Sequence, residues 1–185
     1  MQINLERRNK TVLLMNSTLS KGSYIRLKFL GFYQIIGGVT GLLISIWALA
    51  NTLNLTGLGL VLFAFAFALY SFSVYSGKLL LSNSYEKGLI LSLVNQLLQI
   101  VTFLIMGFGF LYLSGIALFG RMGYYVGDTG SGFDIGFVFE LIPKWRFDFA
   151  SDDHSFELGC NFIAVYLTYF CYNLLRRVRN EQTIN

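Results

Sequence analysis

Long uncharged stretches alternate with short charged clusters along this chain. No charged residue stands between Lys28 and Lys78, a gap of 49 residues. About 20 apolar residues cross a bilayer core. The gap therefore predicts two spans, residues 29–50 and 58–77, parted by the polar turn 51–57. A second uncharged gap, 88–120, has 33 residues and exceeds one span, which predicts a helix that tilts, protrudes or breaks near Gly107 and Gly109. A third, 158–175, is short, and its helix is expected to begin earlier and run into Arg176. The pattern predicts an all-α membrane protein with four transmembrane helices. Residues 1–28 form a basic cytoplasmic segment, 29–120 carry helices 1–3, 121–157 form an extracytoplasmic aromatic loop, and 158–185 hold helix 4 and a basic tail.

Within the loop the period changes to two. Phe133, Ile135, Phe137, Phe139 and Leu141 alternate with Asp134, Gly136 and Glu140, Val138 being the exception. After Pro143 the alternation resumes with Trp145, Phe147 and Phe149 against Lys144, Arg146 and Asp148. Two such runs with a turn between them read as a β-hairpin with one aromatic face. Such a face belongs on the membrane interface, on the helix tops or against another subunit. Phe137, Phe139, Trp145, Phe147 and Phe149 are thus candidates for a cap or a recognition surface.

Composition supports a membrane protein: 55% apolar and 13% charged, against about a quarter charged in average soluble domains. Both a water-exposed globule and disorder are disfavoured. The basic N-terminus lacks the pattern of a cleavable signal, so the first span is expected to be retained. The positive residues set the orientation. Arg7, Arg8, Lys10, Lys21, Arg26, Lys28, Lys78, Lys87, Arg176, Arg177 and Arg179 fall on one side, and only Arg121, Lys144 and Arg146 on the other. Both termini are expected in the cytoplasm of a bacterial inner membrane. Arg7, Arg8, Lys10, Arg176, Arg177 and Arg179 are candidate docking residues for a cytoplasmic protein. Topogenesis and anionic lipid explain this basic side without nucleic acid.

Catalytic chemistry is weakly represented. Asp128-Thr129-Gly130-Ser131 matches the short motif around an aspartic protease carboxylate, but that chemistry needs two such aspartates and the chain has one copy. Asp152, Asp153, His154 and Glu157 form the one cluster with metal-ligand chemistry, and helix capping accounts for most of it. Cys160 and Cys171 lie in one apolar run. On a single helix they would stand roughly 16 Å apart, too far for a disulfide. No enzyme, cofactor or metal site is expected. In the uncharged stretches Asn95 and Gln99 lie one helical turn apart, and Gly37 and Gly41 make a small-xxx-small pair. These four are candidate helix–helix contacts, and the two amides are also the candidate lining of a pore.

In size, span layout and tail charge the chain resembles the membrane subunit of Kiwa-type anti-phage defence systems. That is a small four-span bacterial protein working with a separate cytoplasmic effector. The resemblance implies an oligomeric inner-membrane sensor whose basic face docks the effector. The expected function is a non-enzymatic membrane scaffold or sensor subunit in contact with the lipid bilayer, with copies of itself and with an effector. The alternative is a homo-oligomeric ion channel.

Overall fold

The computed structural model describes residues 19–53, 55–82, 84–127, 130–148 and 156–183. It corrects the all-α expectation. Among the described residues four helices are joined by a six-stranded antiparallel sheet, and two of these helices are long and apolar enough to cross a membrane. These are α1 (Lys21–Ala50) and α2 (Gly57–Leu81). Helix α3 (Tyr85–Leu97) has 13 residues, and α4 (Phe162–Thr183) ends in a charged segment.

Ser20 caps α1 by accepting from Ser23 N, and Thr56 caps α2 by accepting from Gly59 N. The two helices approach closely through glycine. A Cβ at Gly38 would lie 2.8 Å from Tyr70 O, and one at Gly77 would lie 2.6 Å from Gly31 O. Only hydrogen fits at these positions. Gly41, paired with Gly37 in the sequence reading, packs against the Tyr70 ring. Gly37 instead meets the backbone of Ser114, where a Cβ would be 2.7 Å from the carbonyl oxygen.

The stretch read as a third span divides. After Leu97 the chain turns at 98–100 and enters β1 (Val101–Ile105) and β2 (Phe108–Leu113). Met106 and Gly107 join these strands with φ of 48° and 80°, a two-residue turn with both residues left-handed. Then follow β3 (Ala117–Gly127), β4 (Gly130–Glu140), β5 (Lys144–Asp148) and β6 (Phe156–Asn161). Absence of charge concealed the change of period, because inward positions such as Thr102, Leu104, Gly109 and Leu111 are as neutral as their outward neighbours.

The strand order is β4-β3-β6-β1-β2-β5. The two period-two runs are strands, but they do not form a hairpin with each other. β4 pairs with β3 over eleven positions and β5 pairs with β2, so the runs lie on opposite edges. The long β3 offers β4 a full ladder, which the three-residue connection to β5 leaves intact. Strand β6 continues directly into α4. Asn161 Oδ1 makes the switch, accepting from Ile163 N, Ala164 N and Leu118 N. Cys160 is therefore on a strand and the buried Cys171 on a helix, not on one helix as expected.

Candidate functional site

Opposed residues in an antiparallel register point to the same face. One face carries Phe133, Ile135, Phe137 and Phe139 of β4, Met122 and Tyr124 of β3, Phe156 and Leu158 of β6, Val101, Phe103 and Ile105 of β1, Phe108, Phe110 and Tyr112 of β2, and Trp145 and Phe147 of β5. The other carries Asp134, Arg121, Glu157, Thr102, Arg146 and Asp148, with Gly109, Gly123, Gly136 and Gly159 between them.

The sheet rolls around this second face. Arg146 Nη2 comes within 4.0 Å of Glu157 Oε2 although β2 and β1 lie between their strands. Arg121 Nη1 bonds the same carboxylate at 3.0 Å. Leu113, Ala117 and Phe119 form a buried cluster with Leu111, bringing β2 against β3 across the inside. Lys144 Nζ reaches Glu140 Oε1 at 3.3 Å, edge to edge. Charge and glycine thus share the concave side with Leu104, Leu111, Leu113, Ala117 and Phe119, and aromatic and aliphatic side chains dominate the convex side. The sheet packs a small apolar cluster inside and turns a second, larger apolar face outward.

Part of the convex side is covered by the long helices. Trp145 Nε1 donates to Ser45 Oγ at 3.1 Å, and its ring meets Phe63 edge-on at 5.0 Å. Phe147 packs on Phe65, and Tyr112 OH donates to Leu69 O. Of the aromatic candidates, then, Phe147 is buried and Trp145 partly so, both against α1 and α2. Phe137 and Phe139 on β4 are 75% and 60% exposed, and Phe133 and Ile135 extend the same bare surface. Phe149 lies outside the described residues.

Where α1, α2 and α3 meet the sheet, a polar core is buried. Asn95 Nδ2 donates to Ser73 Oγ, and Asn95 Oδ1 accepts from Tyr112 OH. Gln99 Oε1 accepts from Ser114 N at 2.8 Å, and Gln99 Nε2 donates to Asn95 O. Ser73, Ser92, Ser114 and Gln34 complete the group. The amides join helices to the sheet within one protomer. The helical spacing of Asn95 and Gln99 signalled a shared face, but nothing in the sequence signalled Tyr112 and Ser114 as their partners. Gln34 Nε2 and Gln96 Nε2 are buried without an acceptor among the described residues.

At the far end of the helices the basic residues gather. Arg179 pairs with Glu86 at 2.7 Å. Arg176 and Arg177 line a groove between α1 and α4. Arg7, Arg8 and Lys10 lie outside the described residues, as do Asp128 of the protease-like motif and Asp152, Asp153 and His154. Among the described residues no group of three or more His, Cys, Asp or Glu side chains has the arrangement of a metal site. No family model matches the chain, and no curated protein or solved structure is similar to it.

Proposed function

We propose that this chain is a non-enzymatic integral membrane subunit, a scaffold or sensor that self-associates and docks a cytoplasmic effector at its basic end. The resemblance to the Kiwa-type membrane subunit implies this role through size, tail charge and a four-span layout, and only size and tail charge still speak for it, since two helices among the described residues are of spanning length. The observation that carries the reading is the outward apolar face of the sheet. Phe133, Ile135, Phe137 and Phe139 would form a large apolar patch in water. In a bilayer, strands of this kind put apolar residues toward lipid and polar residues inward. The helices agree with it: the apolar windows of α1 and α2 are only 39% and 28% buried, less than the core helices of a soluble fold would be. Contacts of Trp145 with Ser45 and of Tyr112 with Leu69 tie the sheet to these two helices. Positive residues at the opposite end, Lys21, Arg26, Lys28, Lys78, Lys87, Arg176, Arg177 and Arg179, favour that end in the cytoplasm of a bacterial inner membrane.

A channel lined by Asn95 and Gln99 is the weaker reading, since both amides are buried and bonded inside the protomer. Purification in mild detergent, with parallel ion-flux measurements in liposomes, tests the choice. A subunit of this kind yields a defined oligomer with a stoichiometric cytoplasmic protein and no flux. Flux from the purified chain alone would replace the scaffold with the channel.

A further inference from the structure

The groove between α1 and α4 has a cavity of about 470 Å³ at the basic end of the molecule. Arg26 contributes from α1, and Arg176, Arg177, Asn173 and Asn180 from α4. None of the three arginines forms a salt bridge among the described residues. Arg177 lies near enough to Glu181 to favour its charged form, and Arg26 and Arg176 have no carboxylate partner among the described residues. Three guanidinium groups beside two amides offer more donors than the protein itself uses, and guanidinium forks match phosphate oxygens.

A second cavity of about 310 Å³ adjoins the first and shares Arg26, Tyr166 and Phe170 with it. Its other walls are Ile25, Phe29 and Leu167, all apolar. Along α1 and α4 this second cavity lies toward the sheet, on the side of the apolar window of α1. The two cavities thus form one slot, cationic at its outer end and apolar at its inner end. Ile25, Phe29 and Tyr166 are 56%, 66% and 62% exposed, so the apolar end is open to the surroundings.

We propose that this slot binds one anionic phospholipid. The phosphate sits among Arg26, Arg176 and Arg177, and an acyl chain lies along Ile25, Phe29, Tyr166 and Phe170. The inference rests on the membrane reading above. Basic pockets between membrane helices on the cytoplasmic side recognise anionic head groups in this way. A soluble phosphate compound would use the arginines but leave the apolar end empty; a lipid occupies both.

The test uses the full chain in mild detergent, with native mass spectrometry counting retained phospholipid and thermal melting following added phosphatidylglycerol. Alkaline carbonate extraction separately reports membrane integration, so failure of the membrane reading is distinguishable from failure of this site. Wild type should retain one anionic lipid per protomer and be stabilised by phosphatidylglycerol but not by phosphatidylcholine. Arg26→Gln, Arg176→Gln and Arg177→Gln together should weaken binding on the order of a hundredfold, from about fivefold per arginine. Lys21→Gln, Lys78→Gln and Lys87→Gln remove as many charges outside the slot and should leave binding unchanged. Phe29→Ser with Tyr166→Ser should weaken lipid binding while leaving any response to inorganic phosphate unaltered. Equal losses in the arginine and lysine variants would reduce the effect to general surface charge and overturn the site. Stabilisation by inorganic phosphate equal to that by lipid would assign the slot to a soluble ligand. An integrated wild type that retains no lipid, but whose oligomer dissociates in the arginine variant, would assign it to another copy of the chain.

Discussion

Lys144 and Glu140 stand on opposite edges of a six-stranded sheet, yet their side chains meet at 3.3 Å. Laid flat, five strand spacings of about 4.8 Å would part those edges by about 24 Å. Four Cα steps of about 3.8 Å join the two residues and span at most roughly 15 Å. The short connection 141–143 therefore forces the sheet to roll. On the concave face Arg121 and Arg146 share Glu157.

Trp145 and Phe147 fasten the β5 edge to α1 and α2, whereas Lys144 and Arg146 point away from the helices. Truncating buried rings costs about 3–5 kcal/mol each, and partly exposed ion pairs contribute about 1 kcal/mol or less. Trp145→Ser with Phe147→Ser should therefore expose the sheet to limited proteolysis and lower the melting temperature in detergent. Lys144→Ser with Arg146→Ser should change both little. Equal sensitivity in the two variants would contradict the described packing of β5.

The polar core separates a satisfied amide from an unsatisfied one. Gln99 holds Ser114 N, and removing it strands a buried donor at a cost of about 1–3 kcal/mol. Gln96 buries an Nε2 without an acceptor. Gln99→Met should lower the melting temperature distinctly, while Gln96→Met should be neutral or stabilising. Replacing Asn95 and Gln99 together by Leu should destabilise the protomer and leave the size of the surviving oligomer unchanged on a native gel.

Glu181 ties the end of α4 to the start of α1. Partial burial pushes its carboxyl up, but donors from Ser20 N, Ser20 Oγ and Ser23 Oγ, with the charge of Arg177, outweigh this and hold it below the usual carboxylate range. A lowered folded value adds stability above the unfolded value of about 4.3, lost as pH falls through the folded value. Amide protection factors at the α1 N-terminus, taken relative to the intrinsic exchange rate at each pH, should thus be high at neutral pH and fall in acid. Glu181→Gln should show the lower protection factor already at neutral pH, with little further change in protection as pH falls. A pH response retained in that variant would place the titration elsewhere.

The sequence displayed the two long apolar helices and the alternation at Phe133–Leu141 and Trp145–Phe147 directly, because charge is absent from 29–77, which holds most of the former, and recurs at every second position in much of the latter. It concealed β1, β2 and the first part of β3. There both faces are neutral, since the concave positions hold Thr102, Leu104, Gly109 and Leu111 instead of charges. Strand pairing was hidden for a different reason. Adjacent runs separated by Pro143 suggest a hairpin, and only the eleven-position ladder between β3 and β4 explains why they part. The slot for a phosphate was half legible, in Arg176 and Arg177; Arg26 is far away in sequence and joins them only through the packing of α1 on α4.

Spin labels on single cysteines along β4 test the outward apolar face most directly. Positions Phe133, Ile135, Phe137 and Phe139 should be shielded from a water-soluble nickel relaxant in reconstituted bilayers, and those among them that touch lipid should be relaxed by oxygen. Positions Asp134, Gly136 and Val138 should not show that preference, giving a period of two along the strand. Uniform access of the nickel relaxant to all seven positions would contradict the account and return β4 to water.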